Sequence, residues 1–446
     1  MLKRVIFFLA FCLLAFNCSG FCDENTTQDS RAVKKISLKE AIELALEKNL
    51  DYKSVKLDIP IAKNLVKEAN RLPNPTLDTF QNFGPSGKGN PQQIGATVQY
   101  EIMKRSARKR LAQSNLALAE NNVGFARFSM KMNIREAYVQ LLASKTILKY
   151  LQEQQELLEN LYKVAKKRVE AGSAPEMDLI EAGIALNQMV VQINSAKADV
   201  KTALYDFNMV INPQNNNSPD DEVLYDTSDE LLVNNFGFID IKIPALDEKL
   251  PPFNNISQRT LANRLDVKIA QKELEVAQKN LTVVARQRIP DIALLGGYGY
   301  QDRKQSDSGE FLNGGFLGAS IYNIPLFYNY KPEINNAKLE IEKAELNLQS
   351  VQNKALNSLN GSYARFVNAK VNLNYYNEKL VKESQELIRI SQKSYEVGKF
   401  NLISLIVMQQ SYRSIVTGYA YAMVDYYNSW IDFLREVNVE EFELFE

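Results

Sequence analysis

The sequence predicts a mainly α-helical chain with a small β part, drawn out into a rod rather than packed as a ball. Three observations carry this. A proline-free stretch of heptad-like spacing is long enough for a rod, and short runs alternate strictly between apolar and polar residues. Each such element also recurs in the second half of the chain.

Taken in order, the chain opens with Lys3 and Arg4, an apolar run from Val5 to Phe16, and small residues at Ser19 and Gly20. This is the layout of a secretory leader over residues 1–22, and the run is too short for a membrane anchor of about 20 residues. All three cysteines, Cys12, Cys18 and Cys22, fall inside it. No disulfide, zinc site or thiol nucleophile is therefore expected downstream. Cys18 and Cys22 are the candidate lipidation positions. Each lacks the leucine and small residues that a lipoprotein signal places before its cysteine, so cleavage without acylation is expected.

The first repeat, residues 23–211, reads as a helix near 37–71, two strands, a helix over 104–171, a tight turn and a helix over 176–211. Ile94, Ala96, Val98, Tyr100 and Ile102 alternate with Gly95, Thr97, Gln99 and Glu101. About nine such residues match a membrane-spanning β-strand. The rod follows: Ala112, Leu116, Ala119, Val123, Ala126 and Met130, then, after one slip, Ile134, Ala137, Leu141, Ser144, Leu148 and Leu151. Spacing of this kind marks coiled-coil packing, and the slip is a stutter. Some 68 residues at about 1.5 Å each make a rod of roughly 100 Å.

Residues 212–256 form a linker rich in Asn, Pro and Asp, with one short strand expected around Gly237–Ile243. The second repeat, 257–446, restates the first. Leu50-Asp51-Tyr52-Lys53 returns as Leu265-Asp266-Val267-Lys268, and Arg71-Leu72-Pro73 as Arg288-Ile289-Pro290. Gly95-Ala96-Thr97-Val98 returns as Gly318-Ala319-Ser320-Ile321, and Gly172 as Gly398, with separations drifting from about 215 to about 226. Helices are expected near 257–288, 332–397 and 402–436, and strands through Leu294, Tyr298 and Ile321. Gly172 and Gly398 stand where a left-handed residue ends a long helix. Asp178 and Asn401 are placed to cap or start the helices that follow.

Composition excludes several classes. Lys plus Arg equals Asp plus Glu at 53 each, so no bulk charge draws the chain to nucleic acid. Histidine is absent, which removes the commonest metal ligand and general base. Glu153, Glu156 and Glu159 on the rod are its solvated face rather than catalytic carboxylates. The basic run Lys104–Arg110 follows a strand and is expected at a membrane boundary. Four strands cannot close a barrel, and an open edge cannot stand in lipid. Several copies must therefore share one barrel, with their long helices forming a second tube.

This arrangement resembles the TolC-type outer-membrane efflux factors. The marks are Leu38-Lys39-Glu40-Ala41 with Asn49, Arg71-Leu72-Pro73, Ile324-Pro325-Leu326-Phe327, and Tyr395-Glu396-Val397-Gly398 followed by Leu402 to Leu405. The resemblance implies a homotrimer with a twelve-stranded barrel in the outer membrane of a diderm bacterium and a long α-helical barrel in the periplasm. It also implies a passive duct without cofactor or metal, served by a periplasmic adaptor and an inner-membrane transporter of the RND type. Through the resemblance, Gly172, Pro175, Gly398 and Asn401 become the tips that an adaptor grips. Well-known members carry gate aspartates six and nine residues beyond the second turn glycine. Those positions here are Ser404 and Val407, flanking Leu405, whereas the first-repeat equivalents are Asp178 and Glu181. The implied gate closes by side-chain packing rather than charge.

Pro73-Asn74-Pro75 and the segment Ile324 to Asn329 look most like the subgroup serving heavy-metal exporters (CzcC-like). Drug efflux and type I protein secretion are the alternatives. A reading of another class, an exported coiled-coil structural or adhesion protein, explains the heptads but neither the paired strands nor the duplication.

Overall fold

The computed structural model describes residues 33–81, 92–212, 223–228, 260, 263–300 and 314–439. The leader with Cys18 and Cys22 and the strand expected around 237–243 lie outside them.

The chain begins with β1 (Val33–Ile36) and α1 (Leu38–Lys48). Ser37 and Glu40 close a reciprocal capping box at the start of α1, with Glu40 N–H donating to Ser37 Oγ at 3.3 Å and Ser37 N–H to Glu40 Oε2 at 2.8 Å. The single helix expected over 37–71 is three: α1, α2 (Leu50–Lys56) and α3 (Asp58–Ala69). The break at Asn49 is structural. Its side chain accepts from Tyr52 N–H at 2.7 Å and donates to the carbonyls of Val210 and Ile211, so its backbone turns out of the helix. The break at Leu57 precedes Pro60, which lacks an N–H and is tolerated only in a first turn.

Strands β2 (Thr76–Gln81) and β3 (Gln92–Tyr100) lead to α4 (Lys104–Glu170), a continuous 67-residue helix. Helix α5 (Glu176–Ile211) returns along it, and β4 (Leu224–Thr227) pairs in parallel with β1. This small ribbon was not legible in the sequence; its four-residue strands carry too little pattern. Then come α6 (Leu265–Arg286), β5 (Asp291–Tyr300), β6 (Gly314–Tyr322), α7 (Lys331–Tyr375), a π-turn at Tyr376–Leu380, α8 (Val381–Glu396) and α9 (Leu402–Val437). The rod expected to be unbroken in the second repeat thus carries a π-turn, beside which Gly418 leaves room for the Tyr376 ring.

Two cores hold the helices. The larger gathers α1 and the middle or end of α4, α5, α7 and α9. There Phe366 stacks on Tyr426 at 5.3 Å and lies 4.8 Å from Trp430, and Tyr138 meets Phe207 edge-on at 5.6 Å. The smaller core, with Leu158, Ala165, Ala182, Met189, Tyr395, Leu402 and Leu405, runs towards the two turns. Small alanines let the two hairpins approach closely along this seam. Among the described residues no helix is long and apolar enough to cross a membrane.

Candidate functional site

Three regions of the molecule bear on function: the sheet, the collar at its helical end, and the hairpin tips.

The sheet runs β2-β3-β5-β6, all antiparallel, with β2 and β6 at open edges. Its register places Leu77 opposite Ala96, Ile94 opposite Tyr298, Val98 opposite Leu294 and Ala319 beyond it, and Tyr100 opposite Ile292, which in turn pairs with Ile321. Cross-strand partners share a face. That face is therefore apolar, and it is bare: apart from half-buried Ile292, its large side chains range from 46% exposed at Val98 to 89% at Leu317. The opposite face carries the polar residues Asp78, Gln93, Thr97, Gln99 and Ser320, with Phe80, Leu295 and Phe316 among them, and there the Thr97 hydroxyl donates to the Asp78 carboxylate. In a water-soluble sheet the apolar face would be covered. Tyr298 and Tyr300 stand at one end of the apolar band and Tyr100 at the other. All six strand residues expected from the sequence, Ile94, Val98, Tyr100, Leu294, Tyr298 and Ile321, lie on this exposed face.

One rung of the polar face is unusually close. A Cβ at Gly297 would lie 2.3 Å from the Ile94 carbonyl oxygen, and the Phe316 ring covers the Gly95–Gly297 pair. Glycine is required there, and the aromatic ring fills the space its missing side chain leaves.

At the helical end a polar collar ties sheet to rods. Lys104 Nζ reaches Asp291 at 2.8 Å, Asn323 donates to the same carboxylate at 2.9 Å, and Arg108 pairs with Glu101 at 2.5 Å. The hydrogen bond that Arg108 donates to the Glu101 carboxylate raises the guanidinium's pKa further. Three members of the basic run Lys104–Arg110 are thus engaged at the end of the sheet, Arg105 donating to the Asn70 carbonyl at 2.7 Å beside Lys104 and Arg108.

Both tips end in the same motif. Gly172 has φ +69° and Gly398 φ +75°, and each is flanked by a Schellman pair. Gly172 N–H reaches the Val169 carbonyl at 2.9 Å and Ser173 N–H that of Arg168 at 2.8 Å; Gly398 and Lys399 bond Tyr395 and Ser394 in the same way, at 2.9 Å each. Asn401 caps α9 through its side chain, accepting from Ser404 N–H at 2.7 Å. In the first repeat Pro175 takes the cap position without a side-chain bond, and Asp178 sits in the first turn of α5.

The tips touch through a contact the sequence did not announce. Arg168 lies over the Tyr395 ring at 4.7 Å and donates to its carbonyl at 3.3 Å. Burial pushes the Tyr395 phenol up; the Arg168 guanidinium opposes this and the Asp178 carboxylate adds to it. In the second turn of α5, Glu181 Oε2 is buried without a hydrogen-bond partner among the described residues. Ser404 is half-buried and Val407 is 49% exposed, while Leu405 lies inside the seam between the hairpins.

A four-stranded open sheet with its apolar face outward, continuous with two long hairpins of duplicated design, is the protomer fold of outer-membrane efflux channels. The chain belongs to the outer membrane efflux protein family, whose model matches residues 41–207 and 256–415. Members of this family are ducts, and the chain is not an enzyme. Among solved structures it is similar to the outer-membrane channel OprN (TM-score 0.71, 15% identity, 90% of this chain and 89% of that one). It is also similar to CusC (0.72, 14%, 90% and 92%) and to VceC of Vibrio cholerae (0.70, 15%, 90% and 96%). A curated relative, the toxin and drug export protein A of Aggregatibacter actinomycetemcomitans, is 31% identical over 120 residues. That match spans 26% of this chain and 25% of the relative.

Proposed function

We propose that the chain is one protomer of a trimeric exit duct, delivered to the outer membrane of a diderm bacterium, with most of its length in the periplasm. The observation that carries this is the inside-out sheet: an apolar face bare to its surroundings and two edges left unpaired. Three copies of four strands give a twelve-stranded barrel whose polar face lines water and whose apolar face meets lipid. The hairpins of three copies enclose the periplasmic tube. An inner-membrane transporter of the RND type hands substrate to a periplasmic adaptor, which grips the tips at Gly172, Pro175, Gly398 and Asn401. Ser404 and Val407, set on the buried Leu405, form the constriction; Asp178 and Glu181 face the hairpin seam behind it.

The cargo we favour is heavy-metal cations, on the likeness of Pro73-Asn74-Pro75 and Ile324 to Asn329 to that subgroup. A wide aqueous duct has no need to ligate what it passes. Drug efflux is the second reading, favoured by the relative named for toxin and drug export.

Protein extracted in detergent is expected to run at about three times the mature chain's mass and to show β signal by circular dichroism. A stable monomer soluble without detergent overturns the proposal. Sensitivity of a deletion strain to metal salts rather than to drugs decides between the cargoes.

A further inference from the structure

The loop between β6 and α7 holds two apolar side chains out into solvent, and it holds them stiffly. Asn323 and Tyr330 at its ends have φ of +57° and +55°. Inside it, Leu326 N–H bonds the Ile324 carbonyl at 2.8 Å, Arg288 Nε bonds the Asn329 carbonyl at 2.6 Å, and the Tyr328 and Tyr330 rings meet at 5.4 Å. Yet Leu326 is 78% exposed and Phe327 fully so, at 103%. A rigid loop displaying a bare aromatic side chain has met most of the ordering cost of binding in advance.

The duplication indicates what covers it. Helix α6 packs on both long helices, α4 and α7; its first-repeat counterpart α3 packs on α4 with no comparable packing on α7. The uncovered side of α3 and of the link to β2 carries exposed Leu57, Ile61, Leu65 and Leu72, and α7 carries exposed Leu339 and Leu346 one heptad apart. Strands alternate in direction across the sheet, so β6 of one copy meets β2 of the next antiparallel. That pairing sets the loop after β6 beside the link before β2. Within one chain the matching seam, β3 to β5, is tied by polar contacts: Arg286 Nη1 to the Met103 carbonyl at 2.6 Å and Lys104 to Asp291 at 2.8 Å. At the free edge of the single chain Arg71, the counterpart of Arg288, meets Glu68 of the helix before it at 3.9 Å, and its side chain is 72% exposed. There the structure offers apolar surface instead.

We infer that Leu326 and Phe327 are the anchor locking each copy to the next, seated on Leu65 and Leu72 of the adjoining copy at the periplasmic rim of the barrel. This rests on the trimeric reading above. It adds which residues carry the contact, and that the partner is a second copy of this chain rather than lipid.

All three cysteines lie within residues 1–22, so with Cys12, Cys18 and Cys22 replaced by serine paired cysteines report cleanly. Full-length protein carrying Leu72→Cys and Phe327→Cys, oxidised in membranes, should give a covalent trimer on a non-reducing gel, and either single variant should not. Leu326→Ser with Phe327→Ser should speed heat dissociation of the trimer at least about tenfold while leaving circular dichroism unchanged. A native-sized trimer that neither cross-links through this pair nor weakens in the double serine variant overturns the anchor and leaves the duct standing. So does preferential labelling of Phe327→Cys by a bilayer-dissolved maleimide, which would make the loop a lipid contact. A wild-type chain that is monomeric overturns both.

Discussion

Asn49 and Arg264 occupy the same place in the two repeats. Their backbones are nearly identical, at φ −58°, ψ 125° and φ −56°, ψ 130°. Each reaches the C-terminus of the last helix of its own repeat, just before a left-handed asparagine, Asn212 or Asn438. Asn49 is 3% exposed and donates to the Val210 and Ile211 carbonyls at 3.1 and 2.9 Å. Arg264 donates to the Glu436 carbonyl at 2.9 Å and pairs with the Glu436 and Asp266 carboxylates at 2.5 and 2.7 Å. Burial works against the Arg264 charge, but the hydrogen bonds it donates to its two carboxylates outweigh it and raise its pKa. The duplication has kept the need, a donor for carbonyls that a helix end leaves unpaired. It has not kept the donor, neutral in one repeat and ionic in the other.

The largest expected effects come from removing these two brackets. Arg264→Ala leaves two partly buried carboxylates uncompensated and should cost about 3 kcal/mol or more. Asn49→Ala loses two bonds to buried carbonyls and a helix cap, about 2 kcal/mol. Denaturant midpoints of the assembled protein measure both. Equal losses would mean that the ionic bracket gains nothing over the neutral one.

The same contrast explains what the sequence could and could not disclose. The long helices, the turn glycines and the alternating strands were legible because each is a local rule repeated over many residues or tied to one residue type. Gly172 and Gly398 can be read as left-handed turns because few other residues accept that φ. The three-way break of 37–71, the β1–β4 ribbon and the Arg168–Tyr395 contact were not legible. Each is set by a partner far along the chain: Asn49 by carbonyls some 160 residues away, Arg168 by a ring 227 residues away. Leu326 and Phe327 were visible as a family mark, but only their bareness in the structure gives them a physical role.

A smaller effect is expected at the tips, where the repeats agree most closely. Nothing lies within 4 Å of a Cβ at either Gly172 or Gly398, so a side chain there meets no clash, only the strain of positive φ. Gly398→Val should cost about 1–2 kcal/mol locally and reshape the turn while trimers still form. Export and adaptor cross-linking should fall. Gly172→Val sharpens the comparison, since equal loss makes the tips equivalent and a silent Gly172→Val makes the second tip dominant. Unchanged export in a Gly398→Val strain rejects a role for that turn in docking or opening.

The smallest expected effect concerns the constriction, and there the two repeats differ most. Six and nine residues past its glycine the first repeat has Asp178 and Glu181, the second Ser404 and Val407. In one chain the acidic pair is drawn towards the hairpin seam: Asp178 is half-buried and close enough to raise the Tyr395 phenol, and Glu181 Oε2 is buried. Val407 stands exposed on α9, next to Leu405 in the core beneath. A threefold ring of Ser404 and Val407 neither titrates nor clusters carboxylates as a cation-binding constriction does. Conductance in planar bilayers should therefore change little between pH 5 and pH 8, and millimolar divalent cations on the periplasmic side should block weakly. If block is tight and Asp178→Asn abolishes it, the first-repeat carboxylates reach the pore. The helix lining the gate would then be α5 rather than α9.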